Sequence, residues 1–260
     1  MVDLGTITKN GKCLLLAYDQ GMEHGPTDFN DANVDPEYIC KIAREAQVFT
    51  GIVFGAGIAE KYYPNTQSSM LKAQLPPLIL KLNGKTGFHK GEEPVSLQLT
   101  SVERAIELGA KAVGYTVYVG SEREEEMMKE LAQIVGQAHA KNLPVIAWMY
   151  PRGKHVEAKE TSRDTVAYAA RLALELGADV AKLPYTGDAE SFSWVVKSAG
   201  KTGVLAQGGA KKEEGEFLKE ASEIMQSGAM GMAVGRNIWQ NDNPVELSKK
   251  LAEVIFNTSG

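Results

Sequence analysis

Eight short apolar runs, separated by longer segments with helical periodicity, constrain the fold of this 260-residue chain more than any other feature. The runs are rich in Val, Ile, Leu and Ala and are apolar almost without interruption, which is typical of parallel strands covered on both faces. The segments 122–140 and 163–176 place their apolar residues at helical spacing, and Ser121 with Glu124 has the spacing of a capping box before the first of them. The predicted strands are 13–18, 50–54, 78–82, 111–117, 144–149, 179–183, 203–206 and 230–234.

A Gly-Ala pair recurs where a helical segment ends and a strand begins. Glycine can adopt the left-handed conformation that ends a helix, so the pair indicates the same αβ joint used three times. Eight βα units in about 250 residues match the size of a closed (β/α)8 barrel. An open doubly wound sheet is the alternative, but no GxGxxG follows the first predicted strand. We therefore predict an α/β fold, a single (β/α)8 TIM barrel domain over residues 1–260. The pairs are Gly109-Ala110, Gly177-Ala178 and Gly228-Ala229.

Composition narrows the classes of partner. The formal net charge is −5, and a mildly acidic chain is a poor general partner for nucleic acid or an anionic membrane. No apolar run approaches the roughly 18–20 residues of a membrane helix, and the first 20 residues lack a signal-peptide pattern. Cys13 and Cys40 are too few for a disulfide framework, which favours a cytoplasmic protein.

Lys182 lies in the sixth predicted strand, near its carboxyl end, where a barrel of this kind carries its chemistry. Burial disfavours the charged amine and lowers its pKa from about 10.4. A neutral amine attacks carbonyl carbon and forms a Schiff base. The alternative is an ion-paired lysine, or one whose stem is buried while its amine reaches solvent.

Three other strand-end residues are candidates for the same site. Tyr150 is suited to acid–base work, although its reference pKa of about 10 requires a nearby cation to lower it. Asp19 ends the first strand and would partner Lys182 or a substrate hydroxyl, or else form a turn or cap. Trp148 would pack in the core or against substrate.

Glycines after the last two predicted strands indicate a phosphate site. Gly208, Gly209 and Gly235 lie where this fold often binds phosphate, because glycine lets backbone N–H groups approach an anion. Arg236 adds a fork of donors at the start of a short predicted helix. The alternative is that these glycines only form tight turns.

Histidine spacing argues against a metal site. The chain has 4 histidines and none pairs with another at ligand spacing. We predict neither a catalytic metal nor a cofactor.

Taken together, the strand ends resemble those of the archaeal-type class I fructose-1,6-bisphosphate aldolases. The similarity extends in order over nearly the whole chain, which makes it more specific than any one motif. The matching segments are 17–26, 80–85, 148–153, 182–188, 208–211 and 234–237.

The resemblance implies a metal-independent (β/α)8 barrel in a homo-oligomer that reversibly cleaves fructose 1,6-bisphosphate into dihydroxyacetone phosphate and glyceraldehyde 3-phosphate. It implies small phosphorylated ketose and triose substrates, in glycolysis and gluconeogenesis. By match to the family's motifs, the Schiff-base lysine, acid–base tyrosine and first-strand aspartate are Lys182, Tyr150 and Asp19. The matching substrate-binding residues are Trp148, Gly208, Gly209, Gly235 and Arg236.

Two other functions stay open at this stage. A related 2-amino-3,7-dideoxy-D-threo-hept-6-ulosonate synthase shares the lysine, the tyrosine and the glycines, while Trp148 and the segment 23–26 favour the bisphosphate aldolase. A non-catalytic sugar-phosphate binder on the same barrel is the second alternative. Arg152 and Lys154 are candidates for a second phosphate site.

Overall fold

The computed structural model describes residues 2–63, 75–89 and 91–257. Eight parallel strands close into a barrel in the order β1-β10-β9-β8-β7-β6-β3-β2, and β4 and β5 form a separate antiparallel pair. The strands are β1 (Cys13–Tyr18), β2 (Gly51–Gly55), β3 (Leu78–Lys81), β4 (Asn83–Gly84), β5 (Leu97–Gln98), β6 (Ala112–Val119), β7 (Val145–Pro151), β8 (Val180–Leu183), β9 (Gly203–Gln207) and β10 (Gly231–Val234).

Helices follow the barrel strands and cover their outer faces. The described helices are α1 (Gly21–His24), α2 (Pro36–Ala46), α3 (Ala56–Tyr62), α4 (Val102–Glu107), α5 (Glu124–His139), α6 (Arg163–Glu175), α7 (Ala189–Ser198), α8 (Glu214–Gln226), α9 (Arg236–Trp239) and α10 (Pro244–Asn257). The predicted (β/α)8 barrel is therefore confirmed. The prediction that residues 1–260 form a single domain stays a prediction, because part of the chain lies outside the described residues.

Strands β6 and β7 extend two residues beyond their predicted ends. Their parallel pairing continues through Tyr118 opposite Tyr150 and Val119 opposite Pro151. Hydrophobic periodicity underestimates this pairing because tyrosine and proline interrupt the aliphatic run. The longer strands carry two tyrosines to the mouth of the barrel.

Helix α5 begins at Glu124 rather than at 122, and the predicted capping box does not form. The Ser121 hydroxyl accepts a hydrogen bond from the Arg123 N–H at 3.1 Å, and Glu124 accepts one from the Gly120 N–H at 2.5 Å. Glu124 therefore binds the residue before Ser121, because the chain turns at Gly120, where φ is +90°. The predicted glycine joints do form, with φ of +79°, +83° and +85° at Gly109, Gly177 and Gly228.

Two layers of apolar side chains make up the core. One layer lies between the strands and the helices, and the other fills the barrel interior with residues such as Leu15, Ile79 and Leu205. Trp148 belongs to the interior layer and is 1% exposed. A Cβ atom at Gly114 would lie 2.2 Å from the Trp148 ring, so the absence of a side chain there makes room for the indole.

Candidate active site

A cavity of about 210 Å³ opens at the carboxyl ends of the barrel strands. All eight site residues predicted from the sequence line it. They are joined by residues to which the sequence reading gave no such role, including Glu23, Lys81 and Thr116. The lining from the predicted set is Asp19, Trp148, Tyr150, Lys182, Gly208, Gly209, Gly235 and Arg236.

Lys182 points into this cavity from β8 and is 6% exposed. Its Nζ lies 5.2 Å from the centroid of the Trp148 ring and 6.0 Å from that of the Tyr150 ring. Burial lowers the pKa of this amine to about 8, Asp19 and Glu23 oppose the shift, and the charge of Lys81 adds to it. At pH 7 roughly one amine in ten is then neutral. The sequence predicts a neutral amine, whereas at pH 7 only this minor fraction is neutral and the rest is protonated. The amine is buried and does not reach bulk solvent.

Lys81 is a second buried lysine, which the sequence reading did not single out. It lies at the end of β3 with its Nζ 5.6 Å from the Trp148 ring, 3.2 Å from the Asn83 carbonyl oxygen and 4.0 Å from Asp19 Oδ2. Asp19 is thus the ion-pair partner of Lys81, and it acts on Lys182 only through space. The sequence signal that could have identified Lys81 is the presence of a lysine inside the apolar run 78–82.

Tyr150 differs from expectation in the direction of its pKa. Burial raises the pKa well above 10, Asp19, Glu23 and Tyr118 raise it further, and Arg152 offsets only part of the change. Arg152 is a nearby cation of the kind that a lowered pKa would require, but burial and the neighbouring negative charges outweigh its effect. At neutral pH the phenol is protonated and is first of all a proton donor.

Glu23 brings a second carboxylate into the cavity. Its Oε2 accepts a hydrogen bond of 2.7 Å from the buried Tyr118 hydroxyl. Two cations lie over the Tyr118 ring: Arg152 Cζ is 5.3 Å and Lys85 Nζ is 5.6 Å from its centroid. Burial and the charge of Glu23 raise the pKa of Tyr118, so this hydroxyl stays a donor that holds Glu23 in place.

The glycines after β9 and β10 have unequal roles. The Gly208 N–H already donates to the Ala233 carbonyl at 3.0 Å, and a Cβ on Gly208 would lie 3.2 Å from Val234 Cα. Gly208 therefore lets the two strands approach and does not offer its N–H to a ligand. The N–H groups of Gly209 and Gly235 have no hydrogen-bond partner within residues 2–63, 75–89 and 91–257. Both N–H groups are therefore available to a ligand at the cavity.

Of the cationic candidates near the mouth, Arg236 and Arg152 line the cavity and Lys154 does not. Arg236 has its Nη1 3.7 Å from Asp28 Oδ2 and its side chain is 25% exposed. Lys154 instead pairs with Glu122 at 2.7 Å on the surface. The structure therefore favours Arg152 over Lys154 as a group that meets substrate.

Among the described residues, no group of three or more His, Cys, Asp and Glu side chains is placed to hold a metal ion. The predictions of no metal and no cofactor stay predictions. Within the same part of the chain, no helix has the length and apolar character needed to cross a membrane.

A closed parallel barrel with a buried lysine of lowered pKa at the carboxyl end of a strand is the arrangement expected of a Schiff-base aldolase. Residues 13–241 match the DeoC/LacD family of aldolases. The chain is 51% identical to the class 1 fructose-bisphosphate aldolase of Thermoproteus tenax over 97% of its own length and 93% of that protein's. This chain belongs to the DeoC/LacD aldolases and, within them, to the family of class I fructose-bisphosphate aldolases.

Solved structures give the same result. An archaeal fructose-1,6-bisphosphate aldolase with its catalytic lysine covalently bound to the carbinolamine intermediate superposes with a TM-score of 0.89 and 50% identity, covering 97% of each chain. The 2-amino-3,7-dideoxy-D-threo-hept-6-ulosonate synthase 1 of Archaeoglobus fulgidus is more distant, at 32% identity over 97% of this chain and 89% of that protein. The chain is therefore a carbon–carbon lyase that works through a Schiff base.

Proposed function

We propose that this protein reversibly cleaves fructose 1,6-bisphosphate to dihydroxyacetone phosphate and glyceraldehyde 3-phosphate, with Lys182 as the Schiff-base lysine. The observation that carries the proposal is the Lys182 amine, which is buried in the cavity, has a pKa of about 8 and faces the Trp148 and Tyr150 rings. Such an amine is neutral often enough to attack a ketone near neutral pH.

In the first half of the reaction, Lys182 attacks C2 of the open-chain ketose and forms a carbinolamine. Tyr150 gives its phenol proton to the departing hydroxyl, which leaves as water, so that an iminium ion and a phenolate result. The iminium charge stabilises the phenolate in a site where burial otherwise disfavours it.

In the second half, the Tyr150 phenolate takes the C4 hydroxyl proton while the C3–C4 bond breaks. The electron pair of the C3–C4 bond moves to the iminium. Glyceraldehyde 3-phosphate leaves and an enamine remains on Lys182. Protonation at C3 and addition of water then release dihydroxyacetone phosphate and the free amine. Asp19 and Glu23, both on the cavity wall, orient hydroxyl groups of the substrate during these steps.

The phosphate on C1 is held by the free N–H groups of Gly209 and Gly235 and by the guanidinium of Arg236. That end of the ketose stays attached to Lys182 throughout, so a fixed anion there holds C2 over the amine. Gly208 contributes by letting β9 and β10 approach. Trp148 packs against the bound carbon chain, and Arg152 meets the second phosphate.

Borohydride reduction with dihydroxyacetone phosphate, followed by mass spectrometry, tests the assignment. We expect one adduct, on the peptide that contains Lys182. An adduct on another lysine would reject Lys182, and binding without any adduct would favour the non-catalytic sugar-phosphate binder. Substrate profiling in the presence of a chelator separates the remaining alternative, since only the bisphosphate aldolase cleaves fructose 1,6-bisphosphate.

The finer context follows from the same family. We propose a cytoplasmic homo-oligomer that serves glycolysis and gluconeogenesis. Cys13 and Cys40 are both free and buried thiols, which fits a reducing compartment. Light scattering after size-exclusion chromatography tests the oligomer, and a monomeric mass at working concentration would reject it.

A further inference from the structure

A buried asparagine, Asn237, ties the loop after β9 to helix α9. Its Nδ2 donates to the Gly208 carbonyl oxygen at 2.6 Å and to the Ala210 carbonyl oxygen at 2.9 Å, and its Oδ1 accepts from the Lys212 N–H at 2.8 Å. Asn237 is 2% exposed and does not line the cavity. It therefore acts on the loop and not on a ligand.

The geometry of the peptide bond connects these contacts to the cavity. The Gly208 carbonyl and the Gly209 N–H belong to one planar trans peptide unit and point in opposite directions. When Asn237 holds the carbonyl towards α9, the Gly209 N–H must point away from Asn237, on the side where Gly209 lines the cavity. The direction of this donor is thus set by a side chain of α9, the helix that follows the neighbouring strand β10.

The loop needs such a restraint because Gly209 itself provides none. Its φ is +68°, and nothing lies within 4 Å of the position that a Cβ would occupy. Glycine in open space samples many backbone conformations, most of which would turn the N–H away from an anion. An asparagine amide is suited to the restraint because it offers two donors and an acceptor on one rigid plane.

We propose that Asn237 is the positioning residue of the C1-phosphate site: it fixes the peptide between Gly208 and Gly209 so that the free N–H is aimed at the phosphate. The inference rests on the proposed function for the identity of the ligand, but the phosphate contact it describes can be measured without any cleavage.

Asn83 provides a matched control elsewhere at the barrel mouth. Its Nδ2 donates to the Ser96 and Thr116 carbonyl oxygens at 2.7 and 2.9 Å, and its Oδ1 accepts from the Thr116 N–H at 2.8 Å. It is 5% exposed. The two asparagines make the same set of hydrogen bonds, and only Asn237 bonds to the glycine loop.

The test compares wild type, Asn237→Ala and Asn83→Ala, each first shown to be folded by thermal unfolding. Inorganic phosphate binding is followed by ³¹P NMR titration, and kcat and KM are measured with fructose 1,6-bisphosphate. For Asn237→Ala we expect phosphate affinity to fall at least tenfold, KM to rise by a similar factor and kcat to stay within about threefold. Asn83→Ala should keep the phosphate affinity of the wild type within twofold.

A second readout separates positioning from general damage. Borohydride trapping of unphosphorylated dihydroxyacetone should be unchanged in Asn237→Ala, while trapping of dihydroxyacetone phosphate falls. Equal losses for both ketoses, a phosphate affinity within twofold of wild type, or an equal loss in Asn83→Ala would overturn the inference. If the alanine variant does not fold, Asn237→Ser is read in the same way. Should wild type bind phosphate but cleave no bisphosphate, the proposed function fails while the phosphate measurements still decide the role of Asn237.

Discussion

Lys182 at the end of β8 and Lys81 at the end of β3 are both buried and both lie against the Trp148 ring, yet their surroundings differ. Lys81 has a carbonyl acceptor at 3.2 Å and the Asp19 carboxylate at 4.0 Å. Lys182 has aromatic faces and no carboxylate in ion-pair contact among the described residues, and burial lowers its pKa to about 8. Two enclosed amines can therefore differ in their polar partners as well as in their burial, and the amine without a close polar partner in the described part of the chain is the one proposed as the nucleophile.

Replacing the two lysines in turn tests this difference most severely. We expect Lys182→Met to lower kcat roughly a thousandfold or more, because the covalent route is lost, and to abolish borohydride trapping. Lys81→Met should still give an adduct on Lys182. A trapped adduct on Lys81, in wild type or in Lys182→Met, would reverse the assignment of the two amines.

Tyr150→Phe probes the phenol whose ring centroid lies 6.0 Å from the Lys182 amine. Loss of the proton donor should reduce kcat by about a hundredfold. Rapid-quench trapping with dihydroxyacetone phosphate should show slower imine formation, while bound ligand reaches the same level as in wild type. A variant with wild-type kcat would leave Tyr150 with a packing role only.

The charges around Lys182 predict smaller effects, which are shifts of opposite direction in the pH dependence of trapping. The amine reacts when neutral, so trapping should increase as pH rises through about 8. Lys81→Met removes a charge that lowers the pKa of Lys182, and the midpoint should move to higher pH by about one unit. Asp19→Asn removes a charge that raises it, so the midpoint should move to lower pH. Shifts in the same direction for both variants would contradict the placement of these charges.

The sequence predicted the barrel and the Lys182 half of this comparison, but it did not predict the Lys81 half. Continuous aliphatic runs and repeated glycine joints are local signals, so the barrel and Lys182 followed from short segments. Lys81 was missed because its significance depends on Asp19, which is distant in sequence and approaches it only when β1 and β3 share a barrel mouth. The lysine within the apolar run 78–82 marks the position, but its pairing with Asp19 cannot be read from either local pattern.

The same limit explains two details that differ. Burial raises the pKa of Tyr150, and Asp19, Glu23 and Tyr118 raise it further. Spacing along the chain does not show that these groups converge on one phenol. The Gly208 N–H donates a hydrogen bond to the Ala233 carbonyl oxygen and is therefore not free to bind a ligand. The register of β9 against β10 determines this hydrogen bond. Residue types predicted which groups reach the site, and the tertiary pairing decides which of their atoms remain free.

The smallest expected effect concerns stability. The pKa of Lys182 is about 8 in the folded protein and about 10.5 when exposed, so the unfolded state binds this proton more tightly between these values. Unfolding therefore becomes less favourable as pH rises from 8 to 10.5, and the buried amine is destabilising at all lower pH values. Lys182→Met should raise the free energy of unfolding at pH 7 by at most about 3 kcal/mol, the free energy that this pKa difference represents, with the gain shrinking above pH 8. Lys81→Met should lower it instead, because Asp19 is left without its ion pair. Chemical denaturation of both variants at pH 7 and pH 10 measures these opposite changes in the free energy of unfolding. If Lys81→Met raised the free energy of unfolding as much as Lys182→Met does, the partners of the two amines would be equivalent.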